Sequence, residues 1–255
     1  MIRRSISFKE LLMSKKPQIG MWSTLNSSIV CEMLAGSGLD FIVVDMEHTS
    51  TSYNDLLHML QAINSANGAY PAMRVPWNDH VMIKRALDNG AENIIVPYVQ
   101  SPLEAEKAAK AMRYPPKGYR GVAGSTRGND FGREENYFEN SDNYICTIIQ
   151  IESAKAVQSC EEIASVDGVD AVFVGPGDLA ADLGVIENRR DPKVLIEINN
   201  VAVAANKAGI PAGIMASNIE EAREYLDSGF SFVSIATDLV QLKNATKNIV
   251  DSFES

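Results

Sequence analysis

The side chains best suited to chemistry stand at the ends of short apolar runs. Phe41–Asp45 leads into Asp45-Met46-Glu47-His48, and Tyr70–Val75 carries Arg74. Thr147–Ile151 carries Gln150 and runs into Glu152, and Ala171–Val174 runs into Gly175-Pro176-Gly177-Asp178. Glu152 and Asp178 suit a hard divalent cation, because Mg2+ or Mn2+ takes carboxylate oxygens and leaves its other positions to water and substrate. Each could equally cap a helix, since Ser153-Ala154 and Leu179-Ala180-Ala181 read as helix starts. His48 is the only one of the three histidines that falls at a strand end; with Asp45 three residues earlier, it is a candidate general base whose ring the carboxylate orients. Arg74 can neutralise an oxyanion or carboxylate through two parallel N–H groups, or can pair with Asp45 or Glu47, and these uses are compatible. The glycine turn at 175–178 can offer backbone N–H groups to an anion. It comes late in the chain and lacks the strand–GxGxxG–helix opening of a dinucleotide site.

Those residues need a scaffold that aims several strand ends at one place. Short β-branched runs alternate with longer stretches of helical period, the pattern of repeated βαβ units. The strands are predicted at Gln18–Ser23, Phe41–Asp45, Tyr70–Val75, Asn93–Tyr98, Thr147–Ile151, Ala171–Val174, Pro211–Met215 and Phe232–Ala236. Helices are predicted at Ser27–Ser37, Tyr53–Ala66, Val81–Asn89, Pro102–Arg113, Ala154–Ala164, Pro192–Ala208, Ile219–Ser228 and Leu239–Phe253, with Gly38, Gly90, Gly209 and Gly229 as C-terminal stops. Eight such strands favour a single-domain (β/α)8 barrel over residues 1–255, whose active site forms at the C-terminal ends of the strands. The turn-rich connection Tyr114–Asn143 breaks the rhythm and is expected to be a lid or binding segment, or an arm against a neighbouring subunit. Arg120 and Arg127 within it are candidate partners for an acidic substrate tail, or intersubunit ion pairs.

Composition narrows the classes further. The 255 residues are 45% hydrophobic and 22% charged, enough to bury a core. A net charge of -10 repels nucleic acid and anionic lipid. The stretch from Met1 to Lys16 lacks the apolar run of a signal peptide, and no run approaches a membrane span, so a soluble, cytoplasmic protein is expected. Three cysteines without CxxC spacing, Cys31, Cys146 and Cys160, fit reduced packing thiols. None of the eight predicted strands holds a lysine, which disfavours Schiff-base chemistry and favours stabilising an enolate with a metal and hydrogen-bond donors.

Across nearly its whole length the sequence resembles the HpcH/HpaI family of metal-dependent pyruvate aldolases. The resemblance is carried by Ile19-Gly20-Met21-Trp22, Asp45-Met46-Glu47-His48, Met73-Arg74-Val75-Pro76, Tyr114 to Val122, Gln150-Ile151-Glu152-Ser153 and Val172 to Leu179. It implies that Glu152 and Asp178 bind Mg2+ or Mn2+, or Co2+, with pyruvate chelating through its keto and carboxylate oxygens. Arg74 would then stabilise the enolate oxygen and the backbone N–H groups of Gly177 and Asp178 would hold the carboxylate, with Gln150, Trp22 and Met215 lining the pocket. His48, paired with Asp45, would be the base. Asp88 matches an aspartate that reaches the site from a neighbouring subunit, which implies a homo-oligomer, a hexamer built as a trimer of dimers with the last helix on its partner. The expected reaction is reversible retro-aldol cleavage of a 4-hydroxy-2-oxo acid to pyruvate and an aldehyde. Decarboxylation of oxaloacetate on the same site, and a non-catalytic carboxylate-binding barrel, are the alternatives.

Overall fold

The computed structural model describes residues 4–14 and 16–254; Met1 to Arg3, Lys15 and Ser255, part of the expected leader-free start among them, lie outside the described residues. Eight strands close into one parallel barrel in sequence order: β1 (Gln18–Ser23), β2 (Phe41–Asp45), β3 (Tyr70–Arg74), β4 (Asn93–Val96), β5 (Cys146–Ile151), β6 (Ala171–Val174), β7 (Ala212–Ala216) and β8 (Phe232–Thr237). The helices in chain order begin with α1 (Phe8–Met13), α2 (Ser28–Ala35), α3 (Tyr53–Ala66), α4 (His80–Asp88), α5 (Pro102–Met112) and α6 (Tyr137–Asn140). They continue with α7 (Ala154–Gln158), α8 (Cys160–Ala164), α9 (Pro176–Asp182), α10 (Pro192–Ala208), α11 (Ile219–Asp227) and α12 (Asp238–Glu254). All eight strands expected from the sequence are present, and none holds a lysine.

Alternation along the strands divides the core in two. Val43, Ala72, Ile95, Ile148 and Phe173 lie with Trp22, Phe41 and Phe232 in one cluster that fills the barrel, while the intervening residues pack against the helices. Phe8 and Leu12 of α1 belong to the inner cluster, and the Phe8 ring lies 5.6 Å from Phe41 and 6.4 Å from Phe232. Glycine makes room for this aromatic layer: a Cβ on Gly20 would meet the Phe41 ring, and one on Gly213 the Phe232 ring. With phenylalanines filling the lower barrel, polar residues at the next inward positions stand at its C-terminal mouth.

Two expectations are corrected and short helices are added. The helix read as Ala154–Ala164 is two pieces broken at Ser159 (φ -97°, ψ 7°). Phe8–Met13 forms a helix too short for a periodic signal to stand out, and the helix start read at Leu179-Ala180-Ala181 lies within the short helix Pro176–Asp182. The long connection 114–143 is no lid over this barrel's mouth: it follows a helix and precedes β5, so it lies at the N-terminal face, opposite the strand ends. There it packs on the end of α4. Arg120, fully buried, pairs with Asp88 at 3.0 Å and stacks on Tyr114, and Arg127 donates to the Asn89 carbonyl at 2.8 Å. Neither arginine meets a substrate tail at its own barrel's mouth.

Candidate active site

The end of β2 and the end of β3 build one half of the site. Arg74 donates from Nε to Asp45 Oδ1 and from Nη2 to Asp45 Oδ2, both at 2.9 Å, with the two residues 8% and 2% exposed. Its Nη1 stands 3.0 Å from Glu47 Oε2, close enough to pair charges, although that buried oxygen accepts no well-aligned hydrogen bond. A guanidinium has five N–H donors, so this clamp leaves donors on the two Nη atoms for a ligand. The Arg74 Cζ lies over the Trp22 ring, 4.4 Å from its centroid, and Trp22 is only 3% exposed, so the indole underlies the arginine.

The His48–Asp45 pairing takes a different form from the one expected. Asp45 accepts from the backbone N–H groups of Glu47 (3.0 Å) and His48 (3.4 Å), while the His48 ring is exposed with Nε2 3.7 Å from Glu47 Oε2. Asp45 is consumed by Arg74 and the turn, so the carboxylate facing the imidazole is Glu47. Burial pushes the Glu47 carboxyl up to about 7 against the opposing pull of Arg74, and the negative charge of Glu152 adds to the rise.

Glu152, at the end of β5, builds the other half. It is 3% exposed, yet its oxygens receive only neutral donors: the Tyr98 backbone N–H at 2.7 Å and the Gln150 side-chain amide in a very short contact. Tyr98 aims that N–H from a left-handed backbone (φ 53°), a strained conformation for a non-glycine residue. Burial, and then the nearby charge of Asp178, raise the Glu152 carboxyl above its usual range. Asp178 lies exposed in the first turn of α9, where Pro176 occupies the start and no side chain caps the helix, so the N–H groups of that turn, Gly177 and Asp178 among them, have no intrahelical acceptor. Gly175 lets these strand ends close up, since a Cβ there would stand 2.5 Å from Glu152 Oε2 and 3.0 Å from Gln150 Nε2.

This donor set fits a divalent cation. Asp178 is near enough for its charge to act on Glu152, no cation stands within ion-pair distance of Glu152 among the described residues, and the buried Gln150 Oε1 has no donor. No group of three or more His, Cys, Asp or Glu side chains is gathered among the described residues, so the protein would supply two ligands and leave the rest to water and substrate. Met215, half-buried at the end of β7, packs against the inner cluster. Asp88 alone of the expected site residues is far off: α4 runs away from the mouth, and Asp88 is at its last residue.

Sequence reading missed Glu47 as more than a counter-ion, the backbone of Tyr98, and Ser234, whose hydroxyl accepts the Trp22 indole N–H at 2.7 Å. Strand parity would have placed Ser234 inside the barrel; nothing local signals a backbone amide turned toward Glu152.

A (β/α)8 barrel with acids and a clamped arginine gathered at the C-terminal ends of its strands has the layout of a barrel enzyme, whose active site forms at that face. The profile of the HpcH/HpaI aldolase/citrate lyase family matches residues 18–245, and the chain belongs to that family. It is 41% identical over 247 residues, 97% of this chain and 96% of the relative, to the 5-keto-4-deoxy-D-glucarate aldolase of Escherichia coli O139:H28. Solved structures agree. An HpcH/HpaI aldolase/citrate lyase family protein from Burkholderia cenocepacia J2315 superposes with TM-score 0.94 at 35% identity, covering 97% of this chain and 99% of that one. An HpcH/HpaI aldolase from Desulfitobacterium hafniense DCB-2 gives 0.90 at 28%, covering 98% of each. The chain is accordingly an enzyme, a lyase of the aldolase type.

Proposed function

We propose that the enzyme reversibly cleaves a 4-hydroxy-2-oxo acid to pyruvate and an aldehyde, with a sugar-derived acid of the 5-keto-4-deoxy-D-glucarate type as substrate. The observation that carries this reading is the buried Glu152 carboxylate, near Asp178, with no cation within ion-pair distance among the described residues and within the electrostatic reach of the Asp45-clamped Arg74. Glu152 and Asp178 would hold a divalent cation, Mg2+, Mn2+ or Co2+, which would supply Lewis-acid polarisation of the 2-oxo group. The first-turn amides of Gly177 and Asp178 receive the substrate carboxylate, and Gln150 borders it. His48 accepts the C4 hydroxyl proton as the C3–C4 bond breaks, giving the aldehyde. Arg74 turns its free Nη hydrogens to the oxygen on which enolate charge develops, the place where preorganised donors act most strongly. Glu47, near neutrality in its proton affinity, stands between His48 and Arg74 and can hold a proton while C3 is reprotonated.

Two further features support a homo-oligomer, a trimer of dimers, in which Asp88 serves a neighbour's site. Asp88 is remote from its own mouth, and α12 leaves Leu239, Leu242, Ile249, Val250 and Phe253 exposed. No helix among the described residues is long and apolar enough to cross a membrane, and three free, buried thiols suit a cytoplasmic setting.

Pyruvate formation from 5-keto-4-deoxy-D-glucarate and from oxaloacetate, measured side by side with and without a chelator, tests the reading. Chelator-sensitive cleavage of the hydroxy-oxo acid is expected. Release of pyruvate from oxaloacetate alone would replace aldol cleavage with decarboxylation.

A further inference from the structure

We propose that Ser234 is a positioning residue of this site, fixing the Trp22 indole as the floor on which the Arg74 guanidinium rests. The proposal rests on the reading that Arg74 faces the developing oxyanion.

Ser234 sits fully buried in β8, a hydroxyl in the middle of a barrel otherwise filled by Val43, Ala72, Ile95, Ile148 and Phe173. A hydroxyl there is costly unless bonded, and so is an indole N–H. The two solve each other's problem: Trp22 Nε1 donates to Ser234 Oγ at 2.7 Å. The same indole meets Phe173 edge-on with centroids 5.8 Å apart and offers its face to Arg74. Asp45 and Glu47 hold the guanidinium by contacts at its N–H rim, and the indole adds a contact on its face, 4.4 Å from Cζ, that neither carboxylate supplies.

The backbone around the pair is built to deliver it. Gly20 pairs with Ser234 but Trp22 pairs with Thr237, so β8 carries an extra residue between these points, with Ala236 at φ 57°. Bulges of this kind re-aim side chains beside active sites. Just past the bulge, Asp238 accepts from the Ser23 hydroxyl (3.0 Å) and from the Thr24 N–H and hydroxyl (both 2.8 Å), fastening the chain directly after Trp22. Asp238 therefore anchors the backbone of β1's end, and Ser234 anchors its ring.

The chain holds two tryptophans, so Trp77→Phe gives a parent in which all tryptophan emission comes from Trp22. In that parent, Ser234→Ala is expected to shift Trp22 emission and to lower kcat for cation-dependent exchange of pyruvate C3 protons by about tenfold, with KM little changed; that is the size of one lost buried hydrogen bond. Ser234→Thr, which keeps the hydroxyl, restores both. With Trp22→Phe, which has no N–H, adding Ser234→Ala costs less than about twofold. An equal loss in both backgrounds, or shifted emission with unchanged kcat in a variant that melts like the parent, overturns the proposal. A parent that exchanges no proton sinks the reading of Arg74 instead; the emission measurement needs neither cation nor substrate, and an unshifted Ser234→Ala spectrum then overturns the floor as well.

Discussion

Replacing Asp45 by Asn separates two roles for that carboxylate. If Asp45 served only to orient the His48 ring, Asn would slow catalysis and leave the fold as stable as before. The geometry assigns it to Arg74 instead: two 2.9 Å bonds to a guanidinium in residues 2% and 8% exposed, plus the backbone N–H groups of Glu47 and His48. Asn keeps one acceptor oxygen and turns an NH2 donor toward another donor, so a charge-assisted bond is replaced by repulsion between two N–H groups. Breaking a buried ion pair costs about 3–5 kcal/mol, and the remaining charge of Glu47 places this case near the lower end, about 3 kcal/mol. For a chain of this length that corresponds to a melting temperature lower by about 6 °C. Calorimetric melts of Asp45→Asn and His48→Asn without added cation measure it, the second variant being expected within about 1 °C of the parent because its ring is exposed. An Asp45→Asn protein that melts with the parent would refute the clamp.

Other perturbations follow from the same contacts. Mg2+ or Mn2+ at about a hundredfold above its Kd should stabilise the protein by about 2.7 kcal/mol, and Glu152→Gln or Asp178→Asn should abolish that gain in thermal shift. Gly175→Ala, which drives a methyl into Glu152 Oε2, should weaken the same cation response by about tenfold or more, read by calorimetric titration, while the far-UV spectrum is unchanged. Because folding raises the Glu47 carboxyl from 4.5 to about 7, its contribution to stability is complete below about 4.5 and is lost as pH rises through 7. After solvent screening this amounts to about 2 kcal/mol, seen as a difference in denaturant midpoints between the parent and Glu47→Gln across that window; coincident pH dependences would contradict it.

Strand count and strand-end chemistry were both legible along the chain. The starts or ends of several strands, Phe41–Asp45 and Ala171–Val174 among them, coincide with expectation because fully buried parallel strands are short, apolar and bounded by polar turns. Arg74, Gln150, Glu152 and Asp178 stood out because they interrupt or end such runs on strands whose ends a barrel gathers at one face, although Arg74, Glu152 and Asp178 each had a structural use when taken singly. The connection 114–143 misled in the opposite way: length and glycine content look alike at either end of a barrel, and only its following a helix places it at the N-terminal face.

What the sequence alone determined is therefore periodic or local: eight strands, their helices, and which acids and bases end them. Tertiary structure decided the partnerships. Asp45 lies three residues from His48 yet turns its carboxylate to Arg74, and Glu152 draws an N–H from Tyr98, 54 residues away. Trp22 finds its acceptor 212 residues on, in Ser234. Hydrogen bonds and charges act over a few ångströms of space, whereas the chain specifies only neighbours along its length; closing the barrel converts one kind of nearness into the other.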